Sequence, residues 1–275
     1  MASARNEPTF GQQELAGWSA KADTYGDYAG KITAQIAEAL LDAAGVRAGT
    51  LLLDVACGPG YLSGAAVQRG ARVTGIDFAP SMVREAKGSV PSAEFREGNA
   101  EALQFEPNSF DALVCGFGLG HFPEPDKALS EAFRVLRRRG RGAFSWWCAP
   151  DTHEFFALVL GAVKTHGSLD VPLPPAPPMF RFSDPAECAR SLGAVGFEDV
   201  HVQEHAPAHE FSSPDDVLDL IYKSSVRTAM VLELQSKEAR ERIHEAILAG
   251  VREYERDGAF RIGWPALVMS GRKPA

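Results

Sequence analysis

Several things are scarce in this sequence, and each scarcity excludes something. There are four cysteines in 275 residues, Cys57, Cys115, Cys148 and Cys188, and no two lie at metal-ligand spacing. That set builds neither a zinc site nor a disulfide framework, so the thiols read as small buried residues in a reducing compartment. No apolar run approaches 18 residues, so no membrane span is expected. The opening stretch "MASARNEPTFGQQELAGWSAKADTYGDYAG" lacks the apolar core of a signal peptide, and a cytoplasmic location is expected. Positive charge is also scarce. Lys and Arg number 28 against 36 Asp and Glu, a net charge of -8 with no basic block. Nucleic acid is therefore a poor partner. Finally, the glycine-rich turn at 58–64 is neither G-x-G-x-x-G nor a phosphate loop ending in G-K-[ST].

What is present is enough apolar residue for a core: 45% hydrophobic against 23% charged. "TLLLDVA", "ARVTGID", "AEFREGNAEAL", "FDALVCGFGL" and "RGAFSWWCA" read as five strands. Amphipathic helices alternate with them, as in "PDKALSEAFRVLRRRG", whose "RRR" reads as a solvated helix end. This alternation predicts an α/β fold, a Rossmann-like, doubly wound, mostly parallel sheet, seven-stranded once "EDVHVQEHAPAHEF" and "ALVMSGRKP" are added. Between those last two lies a helical stretch at about 213–257, with Ser213 as helix cap and apolar stripes at Val217, Leu220, Ile221 and at Ile243, Ile247, Val251. It is expected to be an inserted lid rather than an independent domain, with the sheet's flank or a dimer contact as the plainer alternative.

The ligand is argued from the turn after the first strand. Asp54 would repel a pyrophosphate, but it suits an ammonium group at the carboxyl end of that strand. Gly58 and Gly60 let a ligand approach the backbone, and the following helix offers its positive end. Asp77, ending the second strand, can accept both hydroxyls of a ribose. An amino acid joined to a nucleoside meets all of these, which is S-adenosylmethionine.

The stretches "LLLDVACGPGYLS", "VTGIDFAPSMVREA", "FREGNAEALQF" and "FDALVCGFGLGHFPEPDKALSEAFRVLRRRGRGAFSW" together resemble the successive motifs of class I S-adenosylmethionine-dependent methyltransferases. The likeness is to the ubiquinone/menaquinone-type and small-molecule branch (type 11-like), and it covers roughly residues 15–150 of a single domain, 1–275. It implies Asp54, Gly58 and Gly60 around the methionine moiety, Asp77 on the ribose, Phe78 and Met82 against the adenine, and Asn99 and Ala100 at the adenine edge. Phe117 would lie beneath the cofactor. Tyr25, in an N-terminal cover segment at 1–30, would close over the methyl site. Ala56 stands where the family commonly has glycine.

Chemistry beyond the cofactor is less determined. His121 and His153 are the candidate bases, and a loop histidine bonded to backbone is the plainer reading of His121. Trp147 and Tyr222 are candidate substrate contacts, with Trp146 in the core. No metal site is expected, because His201, His205 and His209 lie in a strand-like stretch broken by Pro207. A small, fairly apolar acceptor from natural-product biosynthesis is favoured over a quinone or lipid precursor. A binding protein or cyclase on the same fold is the rival from another class. Accepting atom, substrate identity and oligomeric state stay open.

Overall fold

Capping residues and glycines punctuate the chain into short elements. The computed structural model describes residues 7–275, so the first six residues of the expected cover segment lie outside the described part. Helices α1 (Phe10–Tyr25), α2 (Ala29–Thr33) and α3 (Ala37–Ala43) precede the first strand. Thr9 and Gln12 close a capping box at the start of α1, which satisfies two backbone N–H groups the helix leaves unpaired. Then β1 (Leu51–Val55), α4 (Tyr61–Gln68), β2 (Arg72–Asp77), α5 (Pro80–Ser89), β3 (Glu94–Glu97), β4 (Phe110–Gly116), α6 (Pro125–Val135) and β5 (Leu136–Trp147) alternate. Pro80 and Pro125 open their helices at positions where no N–H is needed.

The second half comprises α7 (Glu154–His166), α8 (Pro185–Ala194), β6 (Glu198–His205), β7 (Ala208–Phe211), α9 (Asp215–Ser224), α10 (Arg227–Glu233), α11 (Lys237–Val251), β8 (Glu255–Arg256), β9 (Ala259–Gly263) and β10 (Ala266–Arg272).

Seven strands form one sheet in the order β3-β2-β1-β4-β5-β10-β6. The strands from β3 to β5 run parallel, and β10 is antiparallel to both β5 and β6. This is the Rossmann-like sheet expected from the alternation. Helices cover both faces, which is why Leu52, Leu53, Leu113 and Val114 are all fully buried rather than alternating. Strand order reverses between β1 and β4. Their carboxyl ends therefore open a crevice, where ligands of such sheets bind.

Two local expectations are corrected. "EDVHVQEHAPAHEF" is two strands, because Pro207 has no N–H for the ladder. Beyond it β7, β9 and β8 form a second, three-stranded sheet in the order β7-β9-β8. The backbone N–H of Trp264 donates to the Pro207 carbonyl at 2.8 Å across the join. Arg137, Arg138 and Arg139 belong to β5 rather than to a helix end, since α6 runs straight into the strand, and Arg137 pairs with Asp111 at 2.6 Å. Helix α8 is capped by Asp184, whose carboxylate accepts from the Ala186 N–H, while Ser183 donates to the Trp147 carbonyl.

The stripes of the 213–257 helices are buried within this chain. Val217, Leu220 and Ile221 of α9 and Ile243, Ile247 and Val251 of α11 meet Phe156, Val159 and Val163 of α7 in an apolar cluster distinct from the main core. So α7, from outside the insertion, supplies the surface that the insertion lacks. No described helix is long and apolar enough to cross a membrane.

Candidate functional site

A cavity opens where β1, β2 and β4 end. Asp54, Gly58, Asp77, Phe78 and Met82 face one part of it, and Phe117, His121, Trp146, Trp147 and Trp264 face another.

Asp54 ends β1 and is 1% exposed. Its carboxylate accepts from the Ser63 hydroxyl of α4 at 2.6 Å. Burial pushes its pKa up from 3.8 to about 7, since no cation stands against it. A ligand ammonium would supply the missing charge. Asp77 accepts from the Gly58 N–H and the Ala79 N–H, each at 2.9 Å, and burial likewise raises it to about 6. These two bonds fix the carboxylate and leave lone pairs for further donors. The backbone at Gly58 has φ +52°, and a Cβ there would meet nothing within 4 Å, so a ligand can lie directly on the main chain. No side chain caps the start of α4, so its first N–H groups stay available.

Gly60 plays a different part. It has φ +91°, is absent from the cavity wall, and a Cβ would press on Ala86 and Val90 at 3.4 Å. It is a packing glycine. Ala56 adopts φ +55°, a left-handed conformation that glycine takes without strain.

Helix α1 covers this half. Ala22, Trp18 and Tyr25 pack on Phe78, Ala79 and Met82. Tyr25 lies on the wall, with its hydroxyl bonded to Thr33 at 3.1 Å and its pKa pushed by burial to about 12.

The opposite wall is aromatic. Phe117, another residue at positive φ (+57°), stacks on Trp147 with centroids 3.9 Å apart. Trp146 is buried and donates to the Met179 carbonyl at 2.8 Å, yet it also reaches the cavity. His121 sits between Trp18 and Trp146, and its Nδ1 lies 2.8 Å from Glu14 Oε2. Glu14, only 1% exposed on α1, also accepts from the Trp18 indole at 2.9 Å. Neither Glu14 nor Arg227, whose guanidinium lies over Phe10 and whose pKa burial lowers, is marked by the sequence. A lone acid in a polar helix gives no signal. The only clue was Glu14 and Trp18 sharing a helix face four residues apart.

Other expected residues stand off the cavity wall. Asn99 is exposed, and its Oδ1 accepts from the Glu101 N–H at 2.9 Å. Ala100 packs into the main core. Tyr222 points across to α11, bonding His244 Nε2 at 2.7 Å. His153 is fully buried, caps α7 by accepting from the Phe156 N–H at 3.4 Å, and is pushed down to about 3 by burial. It caps a helix rather than facing the cavity as a base. Among the described residues no group of three or more His, Cys, Asp or Glu could hold a metal.

Residues 53–144 match the model of a family described as a methyltransferase domain. An uncharacterised protein of Mycobacterium tuberculosis is 30% identical over 182 residues, which span 63% of this chain and 63% of that one. The chain thus covers under two thirds of that relative. A ubiquinone/menaquinone biosynthesis C-methyltransferase of Brucella canis is 47% identical over 104 residues, 34% of this chain and 39% of its own length. Among solved structures, the [4+2]-cyclase SpnF matches with a TM-score of 0.58 at 17% identity, covering 98% of each chain, a likeness of fold alone.

Proposed function

We propose that this chain, whose residues 53–144 match a family described as a methyltransferase domain, is a class I S-adenosylmethionine-dependent methyltransferase that methylates a small, largely apolar molecule of the natural-product kind. The observation that carries this is one continuous cavity joining an acid-and-glycine end to an aromatic end. The residues fit the cofactor. Asp54 lacks a cation, Gly58 is bare toward the cavity, and Asp77 is held by two backbone N–H groups beside it. Bound S-adenosylmethionine supplies an electrophilic methyl on a sulfonium, so the protein's work is positioning and exclusion of water. Asp54 and the Gly58 backbone would hold the amino-acid part, Asp77 the ribose, and Phe78 and Met82 the base. Phe117 and Trp147 form a flat apolar wall against which a planar acceptor can lie.

Where the acceptor arrives protonated, His121 would take the proton. Glu14 bonds its Nδ1, which would leave Nε2 as the base. His121→Phe should lower turnover of such an acceptor by about 100-fold or more, while leaving cofactor affinity within about twofold. An unchanged rate would remove His121 from the chemistry.

The likeness to SpnF favours a second reading, a cyclase that uses the fold without transfer. The methyl group itself separates the two. Incubation with methyl-labelled S-adenosylmethionine and metabolite extracts should place label in a small product together with equimolar S-adenosylhomocysteine. Substrate turnover with no label transferred would support the cyclase instead.

A further inference from the structure

Two nitrogens in the aromatic half of the molecule take no part in holding the cofactor or the fold by hydrogen bonds. Trp264 Nε1 and His153 Nε2 are buried side-chain atoms without a hydrogen-bond partner among the described residues. Trp264 is 3% exposed and on the cavity wall, and His153 is fully buried. Their rings stand 5.4 Å apart, nearly perpendicular, in a cluster with Trp147, Phe155 and Phe156. An indole nitrogen is a donor only. The imidazole is a donor too at Nε2, because its Nδ1 accepts the Phe156 N–H and the proton must sit on the other nitrogen. Leaving one such donor buried without an acceptor is costly, and two in one cluster compound the cost.

We propose that this part of the cavity is a subsite for an uncharged acceptor oxygen of the methylated molecule, a ketone or ether oxygen, with Trp264 Nε1–H as its donor on the wall. The oxygen is uncharged because the cluster offers it no counter-charge. His153 is held neutral by burial, and no charged neighbour acts on it. A carboxylate here would lose its hydration for one neutral donor. The surrounding rings suit a flat, apolar body on either side of the oxygen. The subsite thus narrows the proposed acceptor from apolar to apolar with an inward-facing carbonyl or ether, and it rests on that proposal only for the word acceptor.

The test uses the full chain and two probes of one shape, 1-tetralone and its hydrocarbon tetralin, followed by ¹⁵N-indole NMR and by fluorescence titration. The chain has four tryptophans, so the indole region is simple, and Trp264 is assigned through its backbone. The Trp264 indole proton should move downfield with tetralone and stay nearly in place with tetralin. Trp264→Phe, which keeps the ring and removes the N–H, should weaken tetralone about three- to tenfold and leave tetralin within about twofold. A Trp264 resonance that responds alike to both probes, or a variant that weakens both alike, overturns the subsite. Should the variant not fold, the wild-type spectra decide alone. Cofactor affinity is measured separately by calorimetry. Loss of the ketone response with intact S-adenosylmethionine binding refutes the subsite only, and the reverse pattern refutes the transfer reading only.

Discussion

At the residue scale the site is built from side chains in costly states. Asp54 is a buried acid without a cation, and Ala56 and Phe117 hold left-handed backbone where glycine would sit without strain. Such states persist where the surroundings enforce them, and they cluster at functional sites. Ala56 offers a clean probe. The left-handed conformation costs alanine about 1–2 kcal/mol, and glycine gives back part of that through a freer unfolded chain. Ala56→Gly should therefore raise stability by about 0.5–1 kcal/mol in urea denaturation. A clear loss would mean that the Ala56 methyl packs better than its backbone suffers. Asp54, Gly58 and Asp77 were legible because their spacing lies within one strand-turn-helix-strand unit. Glu14 and His121 were not legible as a pair, for they stand 107 residues apart and meet only because α1 folds over the crevice. Motif likeness points to Asn99 and the lid expectation to Tyr222, and neither says where a side chain finds its nearest partner. For Asn99 that partner is its own turn, and for Tyr222 it is His244.

At the scale of elements, periodicity gave the strands from β1 to β5 and the apolar stripes of α9 and α11. It could not give partners. The stripes are met by α7, which precedes them by 50 residues or more, and that pairing follows from topology rather than pattern. Proline marked the second sheet, since Pro207 ends the β6 ladder, but a single strand and a broken one share the same alternation. The link from α9 to α10 borders the cavity through Ser224, Ser225, Val226 and Thr228. We propose on this basis that the insertion caps the acceptor end. Ser225→Phe would then add bulk on the wall, weaken acceptor binding by about tenfold or more, and spare cofactor affinity and melting temperature. Equal losses in cofactor and acceptor binding would show that the insertion is not selective for the acceptor.

For the whole molecule, the two buried carboxyls tie stability and binding to pH in opposite senses. Burial raises Asp54 to about 7 and Asp77 to about 6 from 3.8. The folded chain therefore holds more protons than the unfolded chain between about pH 4 and 7, and the ligand-free fold loses stability as pH rises through that window. An ammonium-bearing ligand selects the ionised form of Asp54, so its affinity should rise about tenfold from pH 6 to pH 8, with proton release on binding. Calorimetry in buffers of different ionisation heat reads both effects, and a flat affinity across that range would argue that Asp54 does not meet the ammonium. A calorimetric titration of the full chain with S-adenosylmethionine at pH 8, repeated with Asp54→Asn and Asp77→Ala, tests whether these acids hold the cofactor. Binding is expected at one site per chain, weakened about tenfold or more in each variant. No binding, or wild-type affinity in both variants, would contradict it.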